Sequence, residues 1–304
     1  MLRYLARRIL FIIMVCALII FFVHLGMRMA VNSSGPGAGL DFARNASLAW
    51  VDTIAYVRAV LQGQLGFITS EHGFPVLVRD LLRESYINSM GLLLFALTGS
   101  ALIGVVTGGF LALTRHKSLV LPILTFTLLG ISIPSFFAGI LLQQGEILYL
   151  RTFGHRLVSI IGFAWDFEHM FLPLLVLSAR PLAYLTRASY ISLSRIIEQD
   201  YIRTAYAKGL SRMRTVNVHA LKNLAVPVLT AIGVSLRFSL GSLPVVELFF
   251  HWPGIGLNLL QAIDARQTTL VTTLALALGV TFLFFNLVLD LAFRLIDPRL
   301  EELK

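Results

Sequence analysis

Six runs of 19 to 27 mostly apolar residues, each with few charges, constrain this chain more than anything else in it. A bilayer core about 30 Å thick is crossed by about 20 helical residues rising about 1.5 Å each. The runs are Ile9–Met27, Ile87–Leu113, Leu119–Leu142, Phe171–Ile191, Leu224–Phe250 and Leu270–Phe293. Only 13 % of residues are charged and 57 % are hydrophobic, which excludes an ordinary soluble domain. The expected fold class is an all-α membrane protein with about six transmembrane helices. Residues 1–85 hold the first helix and the segment after it, and residues 86–304 a five-helix core. Gly130 to Pro134 does not exclude helix, because packed neighbours re-satisfy freed backbone groups in membranes. Kinks are expected at Pro122, Pro134 and Pro244.

Lys and Arg at the span ends set the orientation. Fifteen lie before the first span, between the second and third, between the fourth and fifth, and after the sixth, against eight on the opposite side. Both termini are therefore expected in the cytoplasm. The basic balance, +9 at pH 7, is explained by this placement, and no nucleic-acid motif accompanies it. The first span has about 19 apolar residues, more than the roughly 7 to 15 of a cleaved signal core, and is expected to remain as an anchor. Cys16, the sole cysteine, lies within it, so no internal disulfide can form.

The segment Arg28–Tyr86 is expected outside the cell. Its start, NSSGPGAG, reads as a flexible loop, and Ser47–Leu61 has the apolar spacing of a helix along the membrane surface. The chain has no G-x-x-x-x-G-K-[ST] phosphate loop, no G-x-S-x-G elbow, no H-E-x-x-H and no Cys/His cluster with metal-ligand spacing. Its seven histidines are scattered. No catalytic constellation is visible, and the expectation is a protein that is not itself an enzyme.

One polar stretch has internal design: DYIRTAYAKGLSRMRTVNVHALKN, residues 200–223, between the fourth and fifth spans. Tyr201 to Lys208 are good helix formers, Gly209 can end a helix in the left-handed conformation, and Ser211 can cap a second helix. The pattern predicts a cytoplasmic helix-Gly-helix knob, with Ala205 and Ala207 small enough to admit a partner closely.

At these residues the chain resembles the permease subunits of ATP-binding-cassette importers, in the dipeptide and oligopeptide branch that includes nickel and glutathione permeases. DYIRTAYAKGL looks like that branch's coupling loop, with Gly209 at its glycine and Thr204 and Ala205 at the small positions before it. GISIPSFFAGILL (Gly130–Leu142) is similar to the third-span signature, and VVELFFHWPGIGLNLLQAI (Val245–Ile263) to the Glu-x-x-Phe-x-x-Pro-Gly-x-Gly stretch. NLVLDLAFRLIDPRL matches the Asp-Pro-Arg tail, and LRYLARRIL and GQLG (Gly63–Gly66) have counterparts. Departures are NSSGPGAG where the family has Pro-Gly-Asp-Pro, Gln64 in place of an acid, Lys222 in place of the wider superfamily's proline, and an irregular stretch between the third and fourth spans.

The resemblance implies alternating access by a heterodimer of this chain with a second homologous permease. Two cytoplasmic ATPase subunits would hold ATP and Mg, and an extracellular or periplasmic binding protein would deliver the substrate. No cofactor is expected on this chain. The implied ATPase-coupling residues are Tyr201, Arg203, Thr204, Ala205, Ala207, Lys208, Gly209, Leu210 and Ser211. Di- or oligopeptide is the expected substrate, with nickel or another small solute, or export, as alternatives. A channel or secondary carrier would show paired inverted halves, and none is visible.

Arg180 and Arg237 lie deep in apolar spans, where a charge costs roughly 2.5–3.5 kcal/mol on insertion scales. With Glu247 they are the candidate pathway residues. One arginine would meet a substrate carboxylate; an internal pair with Glu247 or Asp290, or a bond to backbone carbonyls, is the alternative. The turn at Trp252, Pro253, Gly254 and Gly256 is expected to help close the pathway on the outer side, or to be purely structural.

Overall fold

The structure, a computed structural model, describes residues 2–32, 42–69 and 74–296. The helices are α1 (Leu2–Asn32), α2 (Phe42–Leu61), α3 (Val78–Leu113), α4 (Val120–Ser132), α5 (Ser135–Phe153), α6 (Phe167–Ile197), α7 (Asp200–Ala207), α8 (Arg212–Thr215), α9 (Leu221–Phe250), α10 (Ile255–Asp264) and α11 (Thr268–Ile296). Among the described residues five helical segments are long and apolar enough to cross a membrane, and α4 with α5 make a sixth if that bent pair counts as one span. The all-α membrane architecture follows. Residues 33–41, which hold most of NSSGPGAG, and the Asp297-Pro298-Arg299 tail lie outside the described residues.

The third apolar run is broken far more sharply than a proline kink: it is built from two helices that meet at 107°. Pro134 has no N–H to continue the ladder, and it holds Ile133 in extended backbone (φ −79°, ψ 123°). Pro122 lies in the first turn of α4, where its missing N–H costs nothing. Pro244, Pro227, Pro173 and Pro181 sit inside α9 and α6 without ending them.

The chain forms two compact units, Met1–Ser89 with Pro253–Leu287, and Met90–Trp252 with Val288–Lys304. In the first unit, Met27, Val78, Ile255, Ala262, Leu270, Val271 and Leu274 form the core. The helix foreseen at Ser47–Leu61 is α2, and it turns its polar and small stripe, Asn45, Ala49, Thr53 and Tyr56, inward. Leu48, Trp50, Val51 and Ile54 face outward. That inversion suits lipid, which is as apolar as leucine and leaves polar groups to find partners inside. Tyr56 shares a 2.9 Å hydrogen bond with Thr273, and Arg28 donates to Asp52. The Arg28 hydrogen bond holds the Asp52 carboxyl below its ordinary range. A short antiparallel pair, β1 (Phe67–Thr69) and β2 (Pro75–Leu77), has the register Phe67↔Leu77, Ile68↔Val76.

In the second unit α6 and α9 pack along their length. α3 meets α6 through Gly104 and Gly108: a Cβ at Gly108 would strike the Thr186 carbonyl, and one at Gly104 would lie 2.9 Å from Leu185 Cβ. α4 meets α6 through Gly130, where a Cβ would lie 2.5 Å from the Ala179 carbonyl oxygen. Small residues allow this close approach of backbones. Asp166 caps α6 by accepting from the His169 N–H at 2.9 Å.

Candidate functional site

The 200–223 stretch folds as its local signals dictate. Gly209 takes φ +81°, its N–H reaches the Tyr206 carbonyl at 2.9 Å, and the Leu210 N–H reaches Ala205 at 3.2 Å. These two bonds are the Schellman pattern that closes a helix C-terminus. Ser211 caps α8 by accepting from the Arg214 N–H. A π-helical turn, Val216–Ala220, then carries α8 into α9, so that Arg212–Phe250 runs as one helical rod of 39 residues.

The knob is seated rather than loose. Ile202, Val216 and Ala220 form a core with Leu193 and Leu224. Arg212 donates to the Leu113 carbonyl at the end of α3, at 2.6 Å, and Asn223 donates to the Tyr201 hydroxyl at 2.8 Å. A cation on the last carbonyl of a helix also complements its dipole. Of the two alanines expected to admit a partner, Ala205 is buried beneath the knob at 6 % exposure, and Ala207 is exposed. The open face carries Tyr201, Arg203, Thr204, Tyr206, Ala207, Lys208 and Met213.

The helix break creates the second feature. α4, α5, α6 and α9 enclose an open-sided cavity of about 780 Å³, lined by Phe126, Leu142, Phe171, Arg180, Phe238 and Ser239 among others. Arg180, half-buried on α6, donates from Nη2 to the Ile131 carbonyl at 3.1 Å, and its guanidinium lies 5.1 Å from the centre of the Phe238 ring. The backbone-carbonyl alternative for Arg180 is thus present, and the same side chain also lines the cavity. Arg237 is exposed on α9, Glu247 is fully buried, and neither lines the cavity. The three candidate pathway residues are not brought together there.

The turn after α9 is closed twice over. His251 takes φ +50° while the Trp252 N–H returns to the Glu247 carbonyl at 2.9 Å, a second Schellman closure with histidine in the glycine position. Trp252 is fully buried, edge-on to Phe163 and Trp165 with ring centres 4.8 and 5.2 Å away. Gln143 donates to the Phe249 carbonyl at 3.0 Å, and the Gly162 N–H to Phe250 at 3.1 Å, so α5 and the stretch that follows it together cap the end of α9. Glu146 in turn accepts from the amides of Leu157 and Val158. Beyond the turn, the Ile255 N–H at the start of α10 donates to Ser89 Oγ at 2.7 Å, and Asn88 donates to the Pro253 carbonyl at 3.0 Å. Gln143, Ser89 and Asn88 act across long chain separations, and no local pattern points to them.

Among the described residues no group of three or more His, Cys, Asp or Glu side chains could hold a metal ion. Residues 104–302 match the family described as binding-protein-dependent transport system inner membrane component. A probable peptide ABC transporter permease protein of Sinorhizobium fredii is 31 % identical, over 98 % of this chain and 99 % of the relative. The glutathione transport system permease protein of Escherichia coli K12 is 30 % identical, over 81 % of this chain and 78 % of the relative. The knob, the turn and every cavity-lining residue except Ile103 fall inside the matched region.

Proposed function

The chain belongs to the family of binding-protein-dependent transport system inner membrane components, and from that membership we infer that it is the permease subunit of an ATP-binding-cassette importer for di- and oligopeptides. The relatives named for peptide and for glutathione, itself a tripeptide, support that substrate class. This chain pairs with a second, homologous permease, and the two line the pathway between them. ATP and Mg are held by two cytoplasmic ATPase subunits, and an extracellular or periplasmic binding protein delivers the peptide. The excess of Lys and Arg beside the termini and on the 200–223 stretch supports placing all three in the cytoplasm.

The observation that carries the reading is the rigid α7–Gly209–α8 knob continuing into α9. The sequence has no phosphate loop, so energy from ATP has to arrive by contact, and this exposed knob is seated on a core of its own. The test is ATP-dependent uptake of labelled peptides into proteoliposomes holding this chain, its sister permease, the ATPase subunits and the binding protein. Uptake that needs every component supports the reading. An ATP-hydrolysing complex that imports no peptide, but imports nickel or another solute, moves the substrate to that class.

A further inference from the structure

Arg180 brings a positive charge into an apolar cavity, and its neighbours there are neutral: the Ile131 carbonyl and the Phe238 ring. Among the described residues no carboxylate pairs with it. The volume, about 780 Å³, suits a small ligand of two or three residues. A guanidinium has five N–H donors in a planar fork that matches a carboxylate, and one bond to Ile131 leaves most of them available. Against apolar walls, an anion there gains more from the charge than it would in bulk solvent.

We propose that this cavity is a subsite for the free carboxylate end of a short apolar peptide, held by Arg180, its side chains lying along Phe171 and Leu142. The proposal rests on the peptide-importer reading above and adds a chemical selectivity within the permease itself. The neutral grip of Ile131 and Phe238 fixes the guanidinium without neutralising it, so the charge is left for the passenger.

The test compares import of one dipeptide as its C-terminal acid and as its amide by the complete transporter in proteoliposomes. Each form is supplied on saturating loaded binding protein, so that differences in capture drop out. Wild type is expected to favour the acid by roughly tenfold or more, the value of a charge-assisted bond. Arg180→Gln should bring the ratio to about one. Ser242→Asp, which puts a carboxylate on the cavity wall and leaves Arg180 in place, should do the same and decides the matter should Arg180→Gln fail to assemble. Equal import of acid and amide by wild type, or an acid preference that survives in either variant, overturns the proposal alone. Import of neither form overturns the substrate reading on which it rests.

Discussion

Arg180 donates to the carbonyl of Ile131 at 3.1 Å, in the last turn of α4, just ahead of the proline that stops the helix. The last carbonyls of a helix lack partners within it, and a cation there satisfies both a hydrogen bond and the dipole. The bond is possible because α4 and α6 come so close at Gly130 and Ala179.

That approach is testable by adding one methyl group. Gly130→Ala would set a Cβ 2.5 Å from the Ala179 carbonyl oxygen, and Gly108→Ala would drive one into the Thr186 carbonyl. Each is expected to cost about 1–3 kcal/mol through overpacking against backbone that cannot yield. Gly109→Ala is the control, since its nearest neighbour is the Leu193 Cδ2 at 3.9 Å. Unfolding of the purified variants in lipid nanodiscs should rank Gly109→Ala with wild type and the other two well below it.

Gly209 and Ala205 both set the shape of the knob, one through its backbone and the other through its burial. Gly209 has open space around it but a φ of +81°, so Gly209→Ala should cost about 1–2 kcal/mol from backbone strain alone. Gly209→Pro cannot adopt that φ, and Ala205→Glu forces an acid into a buried position. Both are expected to abolish ATP-driven uptake and ATPase co-purification while membrane insertion persists. Normal uptake by either would remove this loop from the coupling role.

His251 occupies a left-handed position without being glycine, at φ +50°. His251→Gly should therefore be tolerated and raise stability by up to about 1 kcal/mol, whereas His251→Val should lower it. Thermal unfolding in nanodiscs distinguishes the two. A His251→Gly protein clearly less stable than wild type would mean that the imidazole contributes more than the strain costs.

The Arg28–Asp52 pair gives the first unit an acid limit. Its hydrogen bond depresses the Asp52 pKa in the folded state, so its stabilisation is fully present above the unfolded carboxylate value, about 3.9. It is lost as pH falls from there through the lower folded value. Trp50 on α2, edge-on to Phe21 with ring centres 6.2 Å apart, should report the change by fluorescence. In Asp52→Asn the Asp52-dependent part of that transition should disappear.

The spans and the knob were legible in the sequence because their signals are local. A run of apolar residues declares its own length, and Gly209 and Ser211 act within four residues of themselves. The break at Pro134 was marked but its size was not, because the angle between α4 and α5 depends on what each packs against. The inward polar stripe of α2, the burial of Ala205, and the capping of α9 by Gln143 and Gly162 are facts about neighbours far away in the chain. Arg180 could be picked out as an expensive charge with backbone carbonyls among its possible partners; that it takes the Ile131 carbonyl together with the Phe238 ring, and that Arg237 lies elsewhere, required the packing.

The unbroken run from Arg212 to Phe250 makes the knob the short end of a lever. At about 1.5 Å per residue such a rod is about 58 Å long. A tilt of about five degrees at one end then displaces the other by about 5 Å, more than the width of a water molecule. With no loop between the knob and the wall that carries Phe238 and Ser239, a push on one need not be relayed by local unfolding or by a chain of side chains. It arrives as rotation, and the stiffness of one helix sets how much of it is lost on the way.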